Sequence, residues 1–159
     1  MLIVTKTTCK RITAADPTTG ITYKVLFELA SYSGLFYYQN NASYIASDPS
    51  CPHDKFMRVN VNAKASSALV SDGKLPPSGN FPDSSLIVKE ISSAQAGSLK
   101  LYAVMYKMPK ASNAGSGWVW AEYKSGGSAQ TAAKDKGAKC IICHNTSKQR
   151  DVVKIFDLH

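Results

Sequence analysis

Leu86-Ile87-Val88-Lys89-Glu90-Ile91, Leu99-Lys100-Leu101-Tyr102-Ala103-Val104-Met105-Tyr106-Lys107-Met108 and Trp118-Val119-Trp120-Ala121-Glu122-Tyr123 are three runs rich in apolar and aromatic residues. Gly97 separates the first two, and Pro109 followed by the turn-rich stretch 111–117 separates the second from the third. Such runs bounded by breakers read as strands. Upstream, Phe56, Arg58 and Asn60 alternate with Met57, Val59 and Val61, the pattern of a half-buried strand. Residues 22–29 read as a further strand and Gly34 to Tyr38 as a short aromatic one, with 40–52 as a loop. Asn62 is placed to cap a helix over Ala63 to Ser71 that Gly73 ends, and 74–82 is a loop with three prolines. Residues 125–128 read as flexible, a helix is expected from about Ala129 to the Cys140 region, and 151–156 as a short strand or extended segment. The fold class is mainly β (α+β): an antiparallel sheet with a few short helices.

The 159 residues suggest one domain, 1–159, with 1–54 as a divergent N-terminal segment. Hydrophobic residues make up 44% and charged residues 19%, the profile of a globular chain with a real core. No apolar run approaches the roughly 18 residues of a membrane helix. The formal charge of +8 is scattered, with a denser run at Lys134, Lys136, Lys139, Lys148, Arg150 and Lys154. No nucleic-acid module accompanies it. A solvated surface accounts for it, or a basic rim that steers an acidic redox partner protein.

Cys140-Ile141-Ile142-Cys143-His144 carries the chemistry. Two thiols three residues apart on one helical turn can add to two neighbouring vinyl groups of one porphyrin, and the next residue projects an imidazole at the iron. Composition alone would produce on the order of 0.002 such matches. A zinc site would need a second Cys/His cluster, which the sequence lacks. A thioredoxin-type pair would follow a strand, whereas an Ala/Lys-rich segment precedes this one. One covalent haem c is therefore expected, held by Cys140 and Cys143 with His144 as proximal iron ligand. Haem is attached to cysteines outside the cytoplasm in bacteria, so the protein is expected to be periplasmic or otherwise exported, its signal removed. Cys9 and Cys51 are then expected to form a disulfide, worth about 4 kcal/mol in the chain-entropy model, or to be two free thiols.

Phe81-Pro82-Asp83-Ser84-Ser85-Leu86-Ile87-Val88-Lys89-Glu90, Tyr102 to Lys107, Gly117 to Tyr123, Cys140 to His144 and Asp151 to Phe156 together resemble the cytochrome P-460 family, which includes cytochrome c′-beta. Arg58 to Ala63 is a weaker match. The resemblance covers roughly 55–159 and is unlike the all-helical c-type cytochromes. It implies an antiparallel β fold, usually a homodimer, with five-coordinate haem. In one branch a lysine is bonded to the haem ring, and Lys89 stands at its place. That branch oxidises hydroxylamine. The other branch lacks the lysine and binds nitric oxide and carbon monoxide. The hydroxylamine branch has a distal carboxylate on the strand matched by 101–107. Here Ala103 stands there, or Tyr102 if shifted by one, and no Asp or Glu lies between Glu90 and Glu122. A general base is not evident. Ser84-Ser85 replaces the family's Asp-Gly turn.

Three functions stay open at this point. They are redox chemistry on hydroxylamine or a related small nitrogen compound, binding of a diatomic gas without turnover, and electron transfer by six-coordinate iron. Lys89 is either a surface lysine at a sheet edge or the haem crosslink, with Glu90 on the opposite face. His53 and His159 read as exposed, and they join Met57, Met105 and Met108 as candidate sixth ligands. Trp118, Trp120 and Tyr123 read as core aromatics, some of which could wall a haem pocket, and Phe81 could reach the distal side.

Overall fold

The computed structural model describes residues 21–49, 52, 53 and 55–155. Seven strands form one antiparallel sheet among them: β1 (Phe36–Tyr37), β2 (Ile45–Ala46), β3 (Phe56–Val61), β4 (Leu86–Ser92), β5 (Leu101–Lys107), β6 (Trp118–Lys124) and β7 (Ala129–Thr131). Their order is β1-β3-β4-β5-β6-β7, and β2 shares the edge of β3 with β1. The helices are α1 (Tyr23–Ala30), α2 (Ala63–Ser66) and α3 (Ala138–His144). The mainly β, antiparallel class expected from the sequence is the observed one, and its four central strands follow the four expected runs.

Strand alternation divides the core in two. On one face Leu86, Val88, Val104, Val119, Ala121 and Tyr123 pack beneath α1, which inserts Leu26 and Ala30. On the other, Val59, Val61, Ile87, Met105, Trp118 and Trp120 meet the chain end at Val152, Val153 and Ile155.

Residues 22–29 are a correction: they form a helix, not a strand. The Thr22 hydroxyl caps it by accepting from the Val25 N–H at 3.4 Å. A short apolar run does not distinguish the two states. Here burial at the helical spacing Leu26/Ala30, and the bond from the Tyr123 hydroxyl to the Tyr23 carbonyl at 2.7 Å, favour the helix. Residues 129–139 are a second correction. The 124–128 turn closes through Lys124 N–H to Ser128 O, and β7 and a 3₁₀ turn at Ala133–Asp135 precede α3. Asn62 caps α2 as expected, accepting from the Ala65 N–H at 2.9 Å, but the α-helix ends at Ser66. The 40–52 stretch contains β2. Residues 151–155 are not a strand; they begin in a left-handed turn. Cys9, Cys51, Phe156 and His159 lie outside the described residues, and so does the expected disulfide.

Candidate functional site

Helix α3 is set down on Trp120 by two close approaches. Gly137 precedes the helix at φ +68, and a Cβ there would stand 2.2 Å from Trp120 Cδ1. A Cβ on Gly115 would stand 2.0 Å from the Lys136 carbonyl, while the Gly115 carbonyl accepts from Trp120 Nε1–H at 2.9 Å. Only residues without side chains admit this packing. It brings Cys140 and Cys143 out on one helical turn, the first half-buried and the second exposed. Burial, then Glu122 and then Cys143 push the Cys140 thiol up to about 11.

His144 follows directly. Its ring stands edge-on to Trp120, 4.8 Å between centroids, and its Nδ1–H donates to the Val152 carbonyl at 2.8 Å. Burial above all, with Lys89 and Lys154, lowers its pKa against the opposing Val152 bond, so the ring is neutral at pH 7. With Nδ1 committed, Nε2 is the nitrogen that can ligate a metal. The Val152 carbonyl is itself held in place. Asp151 (φ 55) and Val152 (φ 58) are both left-handed, which costs a valine on the order of 1–2 kcal/mol. Offsetting this, Lys107 Nζ donates to both Asp151 carboxylate oxygens at 2.7 and 2.8 Å in a buried pair. The Phe81 N–H donates to the same carboxylate at 2.9 Å, and Trp118 Nε1–H to the Asp151 carbonyl at 3.1 Å.

His144, Cys140 and Cys143 line a cavity of about 1150 Å³, above the roughly 300–1,000 Å³ usual for small-molecule sites. Its sheet wall follows the strand register. Val59, Lys89, Ala103 and Glu122 lie directly across from one another on four successive strands and face the cavity, as do Ile87, Met105 and Trp120 in the next row. Lys89 thus stands on a central strand, not at a sheet edge. Glu90 faces the other way and bonds Arg58 and Asn60. The donor set suits haem c: two thiols on one turn, a neutral imidazole with one nitrogen already bonded, and a large cavity whose sheet wall includes Ile87, Met105 and Trp120.

His53 is a correction. Its side chain is 17% exposed, not solvated, and it lines the cavity with Nδ1 3.4 Å from Glu122 Oε1. Burial, then Lys89 and His144, lower its pKa to about 4. Met105 lines the cavity, whereas Met57 and Met108 are not among its lining residues. Phe81 is a second correction: it packs edge-on to Trp118 at 5.6 Å in the core. Trp120 walls the cavity and Tyr123 belongs to the opposite face. Of the basic run, Lys139 and Lys154 reach the cavity rim, while Arg150 donates to the Leu75 carbonyl. Glu122 and Asp151 are the residues sequence reasoning passed over. The one available signal was parity, since Glu122 is two residues beyond Trp120 on the same strand.

The family model for cytochrome P460 matches residues 37–155, most of the chain. Among curated proteins none matches.

Proposed function

Because the chain belongs to the cytochrome P460 family and carries covalently attached haem c, we propose that it is an exported mono-haem cytochrome acting on hydroxylamine or a related small nitrogen compound. Cys140 and Cys143 form the two thioether bonds, and the His144 Nε2 ligates the iron. Lys89 forms the further bond to the haem ring. Bound haem supplies the redox-active iron. The observation that carries the reading is the convergence of Lys89, His144 and the two thiols on one cavity large enough for the group.

The chain's own residues divide the work. The Val152 carbonyl orients His144 and raises its basicity as a ligand. Trp120 fills the space beside the imidazole, and Ala103 leaves room in the row between Lys89 and Glu122. Lys139 and Lys154, at the rim, present positive charge to an acidic redox partner. No helix among the described residues is long and apolar enough to cross a membrane. We further propose a homodimer, as in the family resemblance.

The test is the absorption spectrum of the ferrous protein, with Lys89→Ala as control. A Soret band far to the red in the wild type, reverting in the variant, is expected together with hydroxylamine turnover. An ordinary high-spin c-type spectrum in both overturns the crosslink. It would favour the second reading, a nitric oxide or carbon monoxide binder, which the alanine at position 103 supports. A low-spin spectrum would mean a sixth ligand, with His53 and Met105 the described candidates on the cavity wall.

A further inference from the structure

Lys107 and Asp151 are buried charges that do not line the cavity. Lys107 ends the central strand β5, and its backbone is fixed to the start of β4. Its N–H donates to the Ser85 carbonyl and its carbonyl accepts from the Ser84 N–H, both at 2.8 Å. Its side chain passes Gly117, where a Cβ would stand 3.1 Å from Nζ, and lies 5.0 Å over the Trp118 ring. It ends on both Asp151 carboxylate oxygens. Stability alone is a poor reason for such a pair, because well-packed apolar residues of the same volume usually do as well or better. What the pair holds is a conformation. Asp151 and Val152 are consecutive left-handed residues, and the second is β-branched. Strain of this kind persists only where the surroundings over-determine it. Here the anchors are Lys107, the Phe81 N–H on the carboxylate and Trp118 Nε1–H on the Asp151 carbonyl. The next carbonyl, that of Val152, accepts from His144 Nδ1–H at 2.8 Å.

We propose that Lys107 and Asp151 are positioning residues for the iron ligand: they hold the strained turn that presents the Val152 carbonyl to His144, and through that hydrogen bond they keep the reduction potential of the haem low. The physical link is electronic. An acceptor on Nδ1–H makes Nε2 the more electron-rich, which strengthens its bond to iron and favours the ferric form. Without the Lys107 cation the turn relaxes toward unstrained backbone and the carbonyl leaves the imidazole. The inference rests on His144 as iron ligand, as proposed above, and is independent of the substrate.

The experiment measures two properties of the holoprotein without substrate: the reduction potential, and the iron–histidine stretching band of the ferrous form by resonance Raman. In Lys107→Met the band moves to lower frequency. The ferric–ferrous balance shifts about tenfold toward ferrous, which is about 59 mV for one electron. Asp151→Asn keeps a side-chain oxygen for the Phe81 N–H and gives a smaller shift in the same direction. Leu26→Ala, on the opposite face of the sheet, changes neither property. Thermal unfolding of each holoprotein checks that the variants are folded, and Asp151→Asn carries the test if Lys107→Met fails to fold. An unmoved band and potential in the folded variants overturn the inference. An equal shift in Leu26→Ala also overturns it, because lost stability would then be the cause. High-spin ferrous wild type with no iron–histidine band overturns His144 as ligand and the inference with it. If the wild type is six-coordinate, the potential alone decides.

Discussion

The two faces of the sheet are built from the same strands by strict alternation, yet they end in opposite states. Beneath α1 the face is filled: Leu26 is fully buried, Phe27 packs on Tyr123 at 5.3 Å between centroids, and Val88, Val104 and Val119 close the layer. On the other face the rows continue past Trp118 and Trp120 into Ala103, Lys89 and Glu122, and a cavity remains. One face is complete when the chain folds. The other has the shape of a surface that another group completes. Lys89, Ala103 and Glu122, one row of one parity, turn what would be a core layer into the wall of a site.

The sharpest way to break this comparison is to remove the group that completes the open face. Cys140→Ala with Cys143→Ala is expected to abolish covalent haem, read as loss of haem stain after denaturing electrophoresis. Loss of signal there with a chain that still folds would show that the α1 face stands alone.

Next come paired core changes. Lys107→Met leaves Asp151 buried without its cation and is expected to destabilise by about 3–5 kcal/mol in urea unfolding. It also loosens the turn behind His144, so the haem spectrum changes. Leu26→Ala on the closed face is expected to cost about 2–5 kcal/mol with the haem spectrum unchanged. A spectral change in Leu26→Ala, or none in Lys107→Met, would mean the faces are not separable.

Acid should act on the open face first. His53 is held to about 4 against roughly 6.5 in the unfolded chain. Its folded pKa is depressed, so the stability linked to keeping it neutral is complete above pH 6.5. That stability is lost as pH falls toward 4, by up to about 3 kcal/mol. Urea midpoints of His53→Gln should fall less steeply than wild type across that window; parallel curves would contradict the burial of His53.

The smallest effect concerns the turn into β4. Ser84 sits exposed at φ +69, in the left-handed region that favours glycine. Ser84→Gly is expected to stabilise by about 0.5–1 kcal/mol, read as a raised thermal midpoint with the haem spectrum unchanged.

Much of this was legible in the chain itself. The spacing of Cys140, Cys143 and His144 states its chemistry because attachment is local and covalent. Strands β3 to β6 were legible because period-two alternation and aromatic content are properties of short windows. The stretch at 22–29 was not, since eight apolar-rich residues fit either state until a sheet face presents a surface to pack against. The helix expected from Ala129 failed for the related reason that pairing with β6 outweighed local composition.

By itself, then, the sequence determined a mainly β chain, a two-thiol and imidazole attachment motif, and a lysine at a recognisable place. Only the tertiary structure decided that Glu122 stands beside His53, that Lys107 pairs with Asp151 behind the iron ligand, and that Lys89, Ala103 and Glu122 form one row. Those contacts join residues from about a dozen to several dozen positions apart. Strand register and the burial of charge set them, and neither can be read from a local window of sequence.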